Sequence, residues 1–503
     1  MPRVLAVMAI WPLATMAHAS PVLPPIWSDG AVVQADRPIL LWGKAAPGEA
    51  LTVTLGERRG RGVADKDGRW KIALAPLPAQ ATAMTLTVTS ADGVRAVAND
   101  IVVGEVWLAA GQSNMEFPIE YADEGYDAFI EINAPQIRFF VVEKHQSLTP
   151  QEEARGVWVK LTPRSAPKVS AVGFFFAREL MMRTGRPVGV VQASYGGTPI
   201  EAWTPRETIE AGDYDSDARS AWQDALDREI KERRDAAALL KARWEAALPG
   251  MRGEELMAFS PGEWPAQTST ARMATVLYNG MLHPLLPYAM RGMLWYQGET
   301  NRPDGARYRS KLAAFLNALD QRWGGHRPVG IVQTAPYAWP VGGDPQDVPL
   351  QWQGQAEVAA SRPNTGLIPT LDIADRRDIH PRRKRFVGER LAWWATNRVY
   401  GLDAPAYTGP MLRSISRVDV GYRITFDHAS GLRNRAGGAA VAIELQGVDG
   451  IWQPAEAAVD GDGLIVDDRT APGAIRYQWR RDAQPDLVNA AGVPAWPFQS
   501  KLP

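Results

Sequence analysis

Apolar and polar positions alternate with a period of two through the first hundred residues. Ala31-Val32-Val33-Gln34, Ile39-Leu40-Leu41-Trp42, Leu51-Thr52-Val53-Thr54-Leu55 and Met84-Thr85-Leu86-Thr87-Val88 each read as a short strand. Pro47-Gly48, Asp67-Gly68 and Asp92-Gly93 supply turns between them. Short strands at regular spacing predict a β-sandwich-like domain over 20–103. From Gly104 the pattern changes. Glu105–Ala110, Val188–Ala193, Gly292–Tyr296, Val329–Thr334 and Leu367–Asp372 are near-continuous apolar runs. Helical periods at Phe174–Met182, Tyr308–Trp323 and Arg385–Arg398 fall between or after them. Strands alternating with helices predict an α/β core over 104–403, with a parallel sheet buried on both faces. A charged, helix-forming stretch at 206–270 interrupts that rhythm and reads as a solvated helical insertion or as a lid over a functional rim. Over 404–503 the strand pattern returns, clearest at Arg423–Phe426, Ala440–Leu445 and Ile475–Trp479.

Composition narrows the function. The chain has 503 residues, with 55 Lys+Arg against 56 Asp+Glu, a formal net charge of −1. That length allows about three domains, and near-neutrality lacks the basic footprint of a nucleic-acid binder. No cysteine is present, which excludes disulfides, cysteine nucleophiles and thiolate metal sites. Met1-Pro2-Arg3, the apolar Val4–Ala17 and Ala17-His18-Ala19 have the three regions of a signal peptide over 1–19. Cleavage near Ala19, a periplasmic or secreted location and no membrane span in the mature chain are therefore expected.

In open α/β sheets, ligands bind beyond the carboxyl ends of the strands, so the residues following each core strand are the candidates. Gly111-Gln112-Ser113-Asn114-Met115 follows the first strand. A serine at a strand-to-helix bend is poised as a nucleophile, although an N-capping serine has the same appearance. Ser194-Tyr195-Gly196-Gly197-Thr198 follows the second, and its paired glycines allow backbone N–H groups to approach a ligand. Gln297-Gly298-Glu299-Thr300-Asn301 follows the third; Gln297 is a candidate oxyanion donor, while Glu299 and Asn301 read as substrate contacts or braces. The last strand leads to Asp375-Arg376-Arg377-Asp378-Ile379-His380. Of six histidines, only His380 joins a strand end, a helix start and a nearby acid, Asp378. No zinc, calcium or phosphate-loop motif appears, and neither a metal nor another cofactor is expected.

These four blocks, Gly111–Glu116, Tyr195–Thr198, Tyr296–Asn301 and Asp378–Pro381, resemble the sialate O-acetylesterase family of the SGNH hydrolases. Trp27-Ser28-Asp29-Gly30, Leu277–Met281 and Gly492–Phe498 extend the resemblance across nearly the whole mature chain. It implies an SGNH-type three-layer α/β/α core, flanked by β-sandwich-like domains. It implies a serine carbohydrate acetylesterase acting on an O-acetylated sugar. The implied catalytic residues are Ser113, His380 and Asp378, with Asp375 the alternative acid because Arg377 stands where many relatives place it. The implied oxyanion hole is Ser113, Gly196, Gly197 and Gln297, with Asn301 or Asn279 competing for the third donor. Gln112, Asn114, Glu299, Asn301 and Trp295 are the expected substrate contacts. For sialate, Arg272, Arg302 or Arg376 would meet the sugar carboxylate. For a neutral xylan or xyloglucan, Trp203 and Trp295 would be platforms. A carbohydrate-binding protein without activity is the remaining alternative. The pattern leaves oligomeric state open.

Overall fold

The computed structural model describes residues 23–125, 134–211, parts of 227–246, 271–339, 343–438, 440–468 and 472–503. The expected leader at 1–19 lies outside them. So does most of the 206–270 insertion, of which Arg206–Glu210 is a single helical turn.

The N-terminal strands are β1 (Val32–Gln34), β2 (Ile39–Lys44), β3 (Ala50–Leu55), β4 (Arg58–Val63), β5 (Arg69–Leu74), β6 (Gln80–Ser90) and β7 (Gly93–Gly111). β4, β3, β6 and β7 pair antiparallel in that order, while β2 and β5 form a separate ladder. The burial pattern of β5, exposed and buried in strict alternation, is the half-buried period read from the sequence.

β7 has 19 residues. Its first part pairs with β6, and its last part, from Glu105, is the centre of the core sheet. The boundary expected at 103/104 therefore falls inside one continuous strand. The alternating half of that strand faces water and the unbroken apolar half does not, so hydropathy changes where the backbone does not.

The core adds β8 (Ala134–Val142), β9 (Gly156–Leu161), β10 (Val188–Ser194), β11 (Gly292–Tyr296), β12 (Val329–Val332) and β13 (Thr365–Ile368). Its order is β13-β12-β11-β7-β10-β8-β9, parallel throughout except for antiparallel β9 at the edge. Besides short turns at Ile200–Trp203 and Arg206–Glu210, the described helices of the core are α1 (Ser113–Glu116), α2 (Ala171–Thr184), α3 (Tyr308–Trp323), α4 (Asp347–Ser361) and α5 (Lys384–Arg398).

Period-two alternation sorts the strand side chains into two cores. Trp107, Ala109, Val188, Val190, Leu294 and Ile368 share one with α2 and α5. Val106, Leu108, Ala110, Val191, Met293 and Ile331 share the other with α3. Helices on both faces of a buried sheet make the three layers. Gly388 allows α5 to close on α2: a Cβ there would lie 2.6 Å from Phe175 Cβ and 2.8 Å from the Phe176 nitrogen.

A C-terminal seven-stranded antiparallel sheet, in chain segments running from Met411–Val418 to Phe498–Lys501, has its own core around Tyr422, Ile424, Val441, Leu464 and Tyr477. Among the described residues no helix is long and apolar enough to cross a membrane.

Glu105 ties the layers together at the base of the core part of β7. Its buried carboxylate accepts hydrogen bonds from Gln34 Nε2 (3.0 Å), Arg291 Nε (2.8 Å), Arg186 Nη1 (2.7 Å) and the Tyr400 hydroxyl (2.9 Å). Burial pushes this carboxyl up, but the hydrogen bonds and charge of Arg291, with Gln34 and Arg186, outweigh it and hold it below the usual range. A depressed folded-state value contributes stability above the unfolded carboxyl pKa, about 4.3, and that contribution is lost as pH falls through the folded value. Glu105→Gln should therefore destabilise the fold by about 3 kcal/mol at neutral pH. Urea unfolding should show the gap from wild type closing as pH is lowered below about 4.

Candidate active site

Chain order places the crevice. From β7 the chain builds β8 to β10 on one side, then returns to build β11 to β13 on the other. The reversal at β7 opens a crevice beyond its carboxyl end, where Gly111 aligns with Ser194 of β10 and Tyr296 of β11. Gly111 has φ +140°, and a Cβ there would lie 2.1 Å from the Tyr296 carbonyl oxygen. Only glycine permits this bend, which passes directly into α1 and its first residue, Ser113.

His380 comes from the loop between β13 and α5. Its Nε2 lies 2.9 Å from Ser113 Oγ, across 267 positions of sequence. Burial lowers the imidazole pKa and the Lys384 charge lowers it further, against an opposing pull from Asp378. A neutral imidazole facing a serine hydroxyl is the arrangement a general base requires.

Asp378 stands beside the histidine in a different role from the one expected. Its Oδ1 accepts the His380 backbone N–H at 2.8 Å and is 3.9 Å from Nδ1. That is a charge contact rather than a side-chain hydrogen bond, because the carboxylate is used to close the loop. Asp375 is further from the role. Its carboxylate accepts the Arg377 N–H at 2.9 Å and its backbone pairs with Asp378.

The expected oxyanion donors divide. Gly196 packs against the nucleophile, with a built Cβ 3.3 Å from Ser113 Cβ. Its N–H, however, donates to Glu116 Oε2 at 2.7 Å. Glu116 in turn pairs with Lys144 at 2.5 Å, and Lys144 sits 4.6 Å over the Tyr195 ring. The N–H groups of Ser113 and Gly197 donate to no acceptor among the described residues. Gln297 corrects the sequence reading. Its amide Nε2 donates to Asn301 Oδ1 (2.7 Å), the Thr198 carbonyl (3.1 Å) and Gln112 Oε1 (3.2 Å), so two N–H bonds already serve three acceptors. Gln297 is a buried brace. Gln112 has the opposite balance: its Oε1 accepts from the backbone N–H groups of Gly298 and Thr300, both at 3.4 Å. Those donors fix the amide orientation and leave its Nε2 without an acceptor among the described residues.

Several expected substrate contacts prove to be interior. Trp295 is fully buried, 6.2 Å from Trp203 and 4.5 Å from Phe315, and Trp203 is buried with it. Neither is a sugar platform; both fill the core under β11. Asn301 holds Ile200 N–H, Glu201 and Asp304. Asn279 anchors the 147–151 loop through the Ser147 carbonyl. Asn114 and Glu299 are buried against each other, with Asn114 Nδ2 donating to Glu299 Oε1 at 2.6 Å. Of the three arginines considered, Arg376 pairs with Asp482 and Arg302 pairs with Asp347 while stacking on Trp339. Arg272 donates from Nε to the Gly197 carbonyl at 3.0 Å and has no carboxylate partner among the described residues.

Two residues at the site escaped the sequence reading. Glu116 stands in the Gly111–Glu116 block that carries the resemblance, but the pattern gives it no role. Lys384 sits in the run Arg382-Arg383-Lys384-Arg385, which reads as surface, yet it alone of the four is fully buried. No periodicity distinguishes it.

A parallel α/β/α sheet with a serine–histidine contact at its switch point defines a hydrolase-like architecture of the SGNH kind. The family model described as carbohydrate esterase, sialic acid-specific acetylesterase, matches residues 103–240. A solved carbohydrate acetylesterase from Xanthomonas citri is 32% identical, covering 95% of this chain and 99% of that one, with a TM-score of 0.79. The sialate O-acetylesterase of Rattus norvegicus is 28% identical over 416 residues, 75% of this chain and 73% of that protein. Its Mus musculus counterpart is 25% identical over 500 residues, 88% of this chain and 86% of that protein. The chain belongs to the sialic acid-specific acetylesterase family of carbohydrate esterases.

Proposed function

We propose that this protein is a carbohydrate O-acetylesterase, sialate O-acetylesterase-like, that works through an acetyl-serine intermediate. The 2.9 Å contact between Ser113 Oγ and His380 Nε2 carries the reading. His380 Nε2 takes the hydroxyl proton as Oγ attacks the acetyl carbonyl carbon. The tetrahedral oxyanion is met by the unspent N–H groups of Ser113 and Gly197 and by the Gln112 amide. Each such donor contributes roughly 100–1000-fold to the rate. His380 then protonates the departing sugar oxygen. A water deprotonated by the same nitrogen attacks the acetyl-serine, and acetate leaves as Ser113 regains its proton. Asp378 offsets the imidazolium charge at 3.9 Å.

Arg272 favours an acidic sugar. It is anchored to the Gly197 carbonyl beside the proposed oxyanion hole, and its outer nitrogens meet no carboxylate among the described residues. The indoles that would favour a neutral hemicellulose are in the core. Side-by-side acetate release from O-acetyl sialic acid and from acetylated xylan or xyloglucan tests this. The sialate should be the better substrate, and preference for the polysaccharide would reverse the assignment. Arg272→Ala should raise KM for O-acetyl sialic acid about tenfold and change KM for a neutral acetylated sugar much less.

A non-catalytic carbohydrate binder would leave Ser113 unreactive to a fluorophosphonate, which an esterase should not. We also propose export directed by residues 1–19, with maturation near Ala19. The N-terminus of the exported protein, read by Edman or mass mapping, tests that step. The division into 20–103, 104–403 and 404–503 belongs to the same reading, with β7 shared across the first boundary.

A further inference from the structure

We propose that Lys384, acting through Asn114, is a positioning residue that sets His380 against Ser113 and, by its buried charge, favours the proton-accepting form of the imidazole. The inference rests on the esterase reading of that serine and histidine.

Lys384 opens α5 and is fully buried. Its Nζ donates to Asn114 Oδ1, and the same nitrogen lies 4.8 Å from the Phe117 ring centre and 5.4 Å from that of Tyr296. Asn114 immediately follows Ser113. Its Nδ2 donates both to Glu299 Oε1 and, at 3.1 Å, to the carbonyl of Ile379, the residue before His380. One amide thus joins the nucleophile's helix, the histidine's loop and the buried lysine. Phe117 completes the link, with its ring stacked at 6.4 Å on the His380 imidazole.

The cost of this arrangement argues for a use. A buried lysine and a buried glutamate are bridged by an amide instead of touching. Glu299 Oε2 and the Tyr296 hydroxyl are buried beside them without hydrogen-bond partners among the described residues. A core built only for stability would not hold polar atoms this way. The ionisable groups facing the site are Lys384 on α5, Tyr296 at the end of β11 with Glu299 just beyond it, Asp378 and His380 on their loop, the Glu116–Lys144 pair against Gly196, and Arg272 on the Gly197 carbonyl. Burial brings Lys384 down to about 7, against the pull of Glu299 and Asp378. Burial pushes Glu299 up. Below neutrality Lys384 is therefore a cation close to an imidazole whose carboxylate neighbour makes no hydrogen bond to Nδ1. A cation there opposes protonation of His380.

The test is the pH dependence of Ser113 labelling by a fluorophosphonate, a readout that needs no sugar. It compares wild type with Lys384→Met, which loses charge and donor, and Lys384→Gln, which keeps a donor to Asn114. In both variants the acidic midpoint of the labelling rate should move up by about half to one pH unit. The alkaline plateau should fall about tenfold or more in Lys384→Met and be partly restored in Lys384→Gln. Midpoints unchanged from wild type, whatever happens to the plateau or to melting temperature, would overturn the inference and leave Lys384 a packing residue. A wild type that does not label at any pH would instead remove the esterase reading, and this inference with it.

Discussion

Ser113→Ala is expected to lower kcat/KM for acetyl-ester hydrolysis by about 10⁴–10⁶-fold, with little change in melting temperature. The effect is large because the substitution removes the bond-forming atom. The reaction must then proceed by direct attack of water in a site that keeps its oxyanion donors and His380 but has no side chain to form the bond. The fold should be indifferent, since Ser113 Oγ has His380 as its hydrogen-bond partner and packs into no core. Its backbone N–H is unaltered, so residual activity above the uncatalysed rate should persist. Measuring kcat/KM on an acetylated sugar together with thermal unfolding separates this outcome from misfolding. A loss of less than about tenfold would mean that another group makes the bond.

His380→Ala should produce a comparable loss, about 10⁴-fold or more, and should abolish fluorophosphonate labelling of the serine that remains. Here the reason is activation. A serine hydroxyl is a poor nucleophile without a base within hydrogen-bond reach. In the proposed mechanism His380 is that base; among the described residues the other ionisable groups around the serine are engaged, Asp378 with the backbone of the loop, Lys384 with Asn114, and Glu116 with the Gly196 N–H and Lys144. Because the vacated space is the size of an imidazole, added imidazole should restore part of the labelling rate. The two losses should not multiply. Ser113→Ala/His380→Ala should be about as slow as either single variant, because the pair acts as one unit.

Much of this site could be read from the chain because strand ends are legible. The near-continuous apolar runs marked β7, β10 and β11 correctly, since strands buried on both faces leave no polar gap. The residue after each run then named Ser113, Gly196–Gly197 and Gln297. Histidine is scarce enough here that His380 followed by elimination. What pattern does not convey is direction. Gln297 and Gln112 are both amides at strand ends. One spends its N–H groups on neighbours and the other its oxygen, a difference decided by where Gly298 and Thr300 point their N–H groups. Trp203 and Trp295 read as sugar platforms because tryptophan serves surfaces and cores alike. Asp378 lies at the expected place, but the loop turns its carboxylate to the His380 N–H. Lys384 was hidden among basic neighbours, because burial of a single charge in a charged run is set by the angle at which α5 enters the core. Strands β8 and β9, and helix α4, also went unread, although β8 carries the unbroken apolar run Phe139–Val142.

The most direct measurement is an acid quench of the wild-type enzyme during turnover of an acetylated sugar, followed by peptide mass mapping. The proposed chemistry predicts one acetyl group on the peptide that holds Ser113, absent from Ser113→Ala. Brisk acetate release with that serine unmodified at every quench time would contradict it.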